Sequence, residues 1–513
     1  MDNYIKPNAS GARIQASVCD KQILTELSAD VSLPDYLPEI KRLLRVRATV
    51  APPDKYIGAG NAELSGRIDY SILYSGNDGA LYSANESCEY KFNVPLEMSS
   101  DFELNEGLTC DVDSIPDTVV GRVAAPRRLS IKSRLRSRVR IRGTKLLEEQ
   151  LPRESGNGLQ RLCGQTEVAR CFVGVGEPLT LGDEILTDAD SADLRVISAD
   201  AQVFVTEAVA GSGTVNCRGE VCLKLLCCHE SAPLPPSALT RRIPFSHAVA
   251  ADGVEVNCDA CADGVVTDLH VTVEEGRILC EAVLSLRARA QRNEHLAYTR
   301  DLYSTEAACE TQRMTLTLPH AERCINGNFS LNTTMTLEEV GIRAGMIPVD
   351  LTLTPTVTAL ESEGGKNTLC GRCRVLAILC DGEDVTAQEF ELPFRYQTEG
   401  EMSVTDYDAT VEPISCRARV DGERIAVDAE LAVSLITRSE VSIETLTEAT
   451  LGDAIQPIGA TVTVCYPSRE DTLWSVAKRY RRAVSAISEQ NGLAGSPAAD
   501  SPDSLAGVKY LIV

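Results

Sequence analysis

No stretch of this sequence approaches the roughly 20 consecutive apolar residues that a bilayer-spanning helix needs, so no transmembrane segment is expected. The beginning, Met1-Asp2-Asn3-Tyr4-Ile5-Lys6-Pro7, lacks the basic patch and apolar stretch of a secretory leader, and the chain is expected to stay in the compartment that makes it. Positive charge is also scarce. Fifty Lys and Arg stand against 74 Asp and Glu, a net of −24, which argues against nucleic acid as a partner. Histidine is rare, and His229, His247, His270, His295 and His320 fall in no metal or triad motif. No phosphate-cradling Gly-x-x-x-x-Gly-Lys loop is present either. An enzyme is therefore not expected, nor a cofactor.

Cysteine is plentiful, at 19 residues, but the count is odd and no export signal accompanies it. Both points favour free thiols in a reducing compartment. Two Cys-x-x-Cys pairs, Cys258/Cys261 and Cys370/Cys373, sit at different places in the repeats described next. That reads as small apolar side chains in strands rather than as zinc ligands.

What the chain does have is a period. Glycines 66, 219 and 371 each lie in an alternating run, spaced by 153 and 152 residues. Pro95, Pro244 and Pro393, each before an apolar residue, are spaced by 149 and 149. Arg128, Arg277 and Arg424, each opening a second alternating run, are spaced by 149 and 147. Three landmarks at one period mean one structural unit used three times. Around each glycine the apolar residues alternate strictly, as in Leu64, Gly66, Ile68, Tyr70, Ile72 and Tyr74. Period two marks strands with one face in a core, and the turn signals between them suggest a mainly β fold. The expectation is three tandem β-sandwich-like repeats at 9–150, 161–300 and 306–448, with a linker over 152–158.

The first repeat carries six cations on one strand face: Lys132, Arg134, Arg136, Arg138, Arg140 and Arg142. Two readings stand. The face is a basic stripe for an acidic partner, a lipid headgroup or a phosphate, or it is a solvated outer face that guards an edge strand or one that pairs with carboxylates of the same chain.

The period ends before the C-terminus, where 460–513 reads as strand, helix, helix, strand, a small α+β unit. Leu473, Val476, Ala477 and Tyr480 fall at helical spacing behind Asp471 or Thr472 as a cap, and Asn491-Gly492 is a helix stop. This unit holds six Lys or Arg and five Asp or Glu, a net of +1, while the rest of the chain is strongly acidic. Trp474, the single tryptophan, lies off the inward stripe and shares a flank with Lys478 and Arg481. Partial exposure is expected there, either as an interface anchor or as a supplement to a thin core.

The run Asp471-Thr472-Leu473-Trp474-Ser475-Val476-Ala477-Lys478-Arg479-Tyr480, followed by Asn491-Gly492-Leu493, resembles the LysM domain. That resemblance implies a groove between Asp471, Thr472 and Leu473 on one side and Asn491, Gly492 and Leu493 on the other. In LysM domains such grooves commonly bind N-acetylglucosamine polymers. Here Glu470 replaces the usual glycine, residues 494–504 enlarge the second loop, and Ala506-Gly507 stands in place of Pro-Gly.

Three β repeats followed by a LysM unit are similar to the SipL-type clostridial spore-coat morphogenesis family, with SPOCS-type repeats. The resemblance implies a non-enzymatic adaptor in the mother-cell cytoplasm, at the forespore surface. Its LysM unit would bind the spore morphogenetic ATPase (SpoIVA) of the coat basement layer, and its repeats other coat proteins. The alternative is a peptidoglycan-binding protein of the cell or spore wall.

Overall fold

The structure is a computed structural model. It describes residues 12–58, 60–97, 102, 107–147, 151–152, 158–186, 193–274, 276–363, 366–398, 403–455, 462–493 and 499–513. Residues 1–7, most of the linker (153–157) and part of the enlarged loop (494–498) lie outside the described residues. Strand accounts for 77% of the structure and helix for 4%, which makes the fold mainly β.

The first set of strands is β1 (Ala12–Ser32), β2 (Ile40–Val50), β3 (Asp54–Ile57), β4 (Asn61–Gly76), β5 (Leu81–Pro95), β6 (Leu108–Ala125) and β7 (Arg128–Leu147). The second is β8 (Leu159–Val175), β9 (Leu179–Leu186), β10 (Leu194–Ala210), β11 (Thr214–His229), β12 (Ala232–Ala250), β13 (Asp259–Glu274) and β14 (Arg277–Ser304). The third is β15 (Ala307–Thr336), β16 (Ile347–Glu363), β17 (Lys366–Cys380), β18 (Val385–Gln397), β19 (Asp406–Asp421) and β20 (Arg424–Ala454). Two sheets form in every set. One centres on the glycine strand: β2-β4-β5, β10-β11-β12 and β16-β17-β18. The other centres on the arginine-led strand: β1-β7-β6, β13-β14-β8 and β15-β20-β19. Inward side chains of both sheets mix in one core, as where Val221 and Phe245 meet Leu284 and Leu286.

The glycine landmark has a steric cause. Gly66, Gly219 and Gly371 pair directly with Tyr90, Phe245 and Phe394 on the neighbouring strand. Each ring lies over its glycine, where an added Cβ would collide with it. An aromatic side chain covering a strand glycine restores the packing that the missing side chain forfeits. The proline landmark is less uniform. Pro244 and Pro393 pair one residue past the glycine, with Glu220 and Arg372, but Pro95 pairs with Asn61. In the first repeat Tyr90 does what Phe245 and Phe394 do, and Pro95 is not their structural equivalent. The arginine landmark holds, since Arg128, Arg277 and Arg424 are the first residues of β7, β14 and β20.

Equivalent positions of the three repeats converge. Leu73, Leu226 and Ile378, at the glycine period, share one apolar cluster with Leu44, Ile197 and Val349. A second cluster takes Ile14, Val168 and Leu318 from the opening strands β1, β8 and β15. Arg45 of β2 joins the other two repeats at once, bonding Asp200 at 2.8 Å and Asp350 at 2.6 Å. Each repeat therefore touches both others, and the three close into a ring.

Charged locks hold two of its joints. Arg140, Arg289 and Arg438, spaced by 149 and 149, occupy the same register on β7, β14 and β20, and are 3%, 5% and 5% exposed. Arg289 donates to Asp111 of the first repeat at 2.9 Å, and Arg287 reaches Asp113 at 3.0 Å. Arg140 bonds its own Asp111 at 3.0 Å and pairs with Asp408 of the third repeat. Burial pushes the Asp111 carboxyl up, but Arg289, Arg287 and Arg140 outweigh it and hold it well below the ordinary range. At the third joint Cys261 stands where Asp111 and Asp406 stand, and Ile436 where Arg138 and Arg287 stand. There Cys324 of β15 sits against β13, its amide donating to Asp259 at 2.6 Å.

The six-cation face resolves the same way. Arg134 donates to Asp117 at 2.7 Å, Arg138 to Asp20 and Asp408 at 3.0 and 3.1 Å, and Arg140 is buried in the lock. Carboxylates of the same chain meet much of this face, and the edge-strand reading is corrected, because β7 lies between β1 and β6 and is paired on both sides. All 19 cysteines are free thiols, and among the described residues no helix is long and apolar enough to cross a membrane.

Candidate partner-binding site

The last described segment contains β21 (Val464–Cys465), α1 (Leu473–Tyr480), α2 (Val484–Gln490) and β22 (Leu511–Ile512), with β21 and β22 paired antiparallel. Thr472 caps α1: its hydroxyl accepts from the Ser475 amide at 3.0 Å, and Ser475 Oγ accepts from the Thr472 amide at 2.9 Å. Leu473, Val476, Ala477, Ile487 and Leu511 form the core.

The nine residues singled out from the sequence are all in this segment, but most are used internally. Asp471 is buried. Its carboxylate accepts from the Ser468 amide at 2.8 Å and from Arg479. The backbone bond to Ser468 and the Arg479 charge hold its carboxyl below the usual range against the cost of burial. Leu473 is core. Asn491 ties α2 to β22, donating to Ile512 O and accepting from the Ile512 amide, both at 2.8 Å. Thr472 and Leu493 are half-buried, while Gly492 is exposed and takes a left-handed φ of 66°, which an L side chain rarely adopts.

The expectation of a partly exposed Trp474 is corrected. The indole is only 6% exposed, and the surface that covers it belongs to the second repeat. Its Nε1 donates to Asp301 Oδ2 at 2.8 Å, and Tyr303 meets its ring edge-on at a centroid distance of 4.9 Å. Lys478 shares the flank, as its spacing required, and reaches both oxygens of Asp301 at 2.7 Å. Arg481 does not. The helix ends at Tyr480, and Arg481 turns to a left-handed φ of 55°, which takes it off the helical flank to an exposed position. Burial pushes the Asp301 carboxyl up, but bonds from Lys478 and Trp474 prevail and hold it low. Tyr303 Oη donates to Arg482 O at 2.7 Å, Gln160 accepts from the Val484 amide at 3.3 Å, and Arg300 pairs with Asp500.

Two groups escaped the sequence reading. Asp301 and Tyr303 lie on one face at the end of β14, over 170 residues from the indole, and nothing local marks them. The other group was legible. Val462, Val464 and Tyr466 alternate with the buried Cys465, and Tyr510 lies beside Leu511 on the partner strand. Their exposures are 63%, 46%, 77% and 56%, an apolar and aromatic ledge on the β21–β22 ribbon.

The ledge and the docked flank are the surfaces this segment offers. Neither a curated protein nor a solved structure matches the chain. One family model does, described as SipL, SPOCS domain, over residues 194–274, from the first residue of β10 to the last of β13. That stretch of the second repeat is similar to the family's domain.

Proposed function

We propose that this protein is a non-enzymatic adaptor of spore-coat assembly, in which the three-repeat ring is a rigid base and the C-terminal unit the contact for a protein partner. The observation that carries the reading is the SPOCS-domain match over the sheet strands of the second repeat. The proposed partner is the spore morphogenetic ATPase (SpoIVA) on the mother-cell side of the forespore, with other coat proteins on the repeats. In this reading the segment 460–513 is a LysM unit turned from sugar to protein. Two features support that over N-acetylglucosamine binding. The polar groups of Asp471 and Asn491 are committed to internal bonds, and the accessible surface is the apolar ledge around Tyr466 and Tyr510. The near-neutral unit also suits an acidic protein surface that the body would repel.

The test is recovery of the ATPase from sporulating cells by the full chain and by a chain ending at residue 454, with circular dichroism confirming that the β body is intact. Loss of the ATPase supports the reading. Equal recovery from both chains overturns it, and measurable binding of N-acetylglucosamine oligomers by the full chain favours the glycan alternative.

A further inference from the structure

The flank of α1 is occupied by a segment of the same chain whose chemistry is specific. Asp301 and Tyr303 are two apart on β14, so both point to one face of an extended strand. The carboxylate takes three donors at once: Trp474 Nε1 at 2.8 Å, Lys478 Nζ at 2.7 Å and Arg313 Nη2 at 2.9 Å. The phenol ring stands on the indole and its hydroxyl bonds the backbone at Arg482. Tyr303 even belongs to the core of the C-terminal unit, with Leu162 packed beside it. A buried tryptophan bonded to a shared carboxylate is a built recognition site: the indole N–H and the ammonium converge where one anion fits, and the ring beside them fits an aromatic.

We infer that Asp301-Leu302-Tyr303 is a resident occupant of the site through which the C-terminal unit reads its partner, and that the partner presents the same chemistry: an extended acidic segment with an aromatic residue two positions after a carboxylate. This deepens the adaptor reading and rests on it for the partner's identity. The docked form is then closed. A partner engages the flank by displacing β14's end, so its apparent affinity is lowered by the fraction of molecules that are docked. The charge balance fits an acidic occupant, because Lys478 of α1 and Arg313 of β15 both pair with Asp301.

Trp474 is the single tryptophan, so the full-length protein carries its own reporter. The experiment compares the native chain with Asp301→Ala/Tyr303→Ala and with the milder Asp301→Asn, which keeps an acceptor for the indole and removes the charge. The probe is a peptide of residues 296–306. The double variant should show red-shifted, more quenchable indole emission, and the peptide should reverse the change saturably. A peptide with alanine at both positions should not. Asp301→Asn should shift less, and the double variant should capture several-fold more of the ATPase, competed by the peptide. Identical emission in native and double variant overturns the inference, as does a double variant that opens yet ignores the peptide or binds no more ATPase than a native chain that binds it. If emission and peptide responses follow expectation while no form of the chain binds the ATPase, the partner assignment under the adaptor reading falls and the acid-aromatic site stands.

Discussion

The three joints of the ring invite comparison because they are built at equivalent positions from different chemistry. Where the first repeat meets the second and the third, buried guanidiniums meet buried aspartates. Where the third meets the second, Ile436 and Cys261 take the places of an arginine and an aspartate. A buried charge is costly unless paired, so each charged joint is intolerant of losing one partner. A thiol and an aliphatic side chain at these positions lose only packing when trimmed. At these equivalent positions two joints are therefore brittle and the third forgiving, although Lys224 with Asp350 and Arg242 with Glu430 also join the second repeat to the third elsewhere.

The largest effect should come from Arg289→Ala, which strips a partner from both Asp111 and Asp263. By analogy with broken buried ion pairs the loss should be about 3–5 kcal/mol, read as a lower urea midpoint. Cys261→Ala should cost about 1 kcal/mol, in keeping with loss of one small buried group; equal costs would erase the distinction between joints. Acid should act on the charged joints. Asp111 and Asp408 have folded-state values below their unfolded ones, so the stability they contribute is present above about pH 4 and is lost as pH falls toward the folded values. In Arg140→Ala that acid-dependent loss should shrink, which stability curves from pH 7 to 2 would show.

Gly371→Ala should cost about 1–3 kcal/mol by overpacking, since the new Cβ meets both the Phe394 ring and the backbone oxygen of Thr356. Gly66→Ala should cost less, because its nearest contacts are atoms of the Tyr90 side chain alone; thermal midpoints of the two variants give the order. The effect of Glu412→Gln should depend on pH. Burial, together with Asp263 and Asp113, pushes the Glu412 carboxyl from its ordinary 4.5 to about 8. A raised folded value means the neutral form is favoured and stability is lost as pH rises through that range. The glutamine variant should gain on the native protein increasingly between pH 4.5 and 8, and a pH-independent difference would contradict the assignment.

The mainly β class was legible in the sequence because alternation along a strand is local, and so was the glycine landmark. Its cause was not, because the covering ring is set by cross-strand register rather than by distance along the chain. That is how Pro95 passed for an equivalent of Pro244 when only Tyr90 shares the role of Phe245. Arg140, Arg289 and Arg438 keep a spacing of 149 in plain view. Arg140 lies in a run of alternating cations, and pattern alone does not distinguish a solvated arginine from one sealed against another repeat. Helical spacing placed Trp474 and Lys478 on one flank correctly. What faces that flank comes from β14, and no property of residues 462–513 announces it.

A consequence follows for how such a chain can evolve. Solenoids grow by duplication because each end offers a free surface to the next unit. Here Arg45 already spends its two partners on the two other units, and every unit has both neighbours, so a fourth copy would find no vacant berth. Copy number in this architecture is fixed by geometry, and novelty has to be appended outside the circle, which is where the C-terminal unit sits.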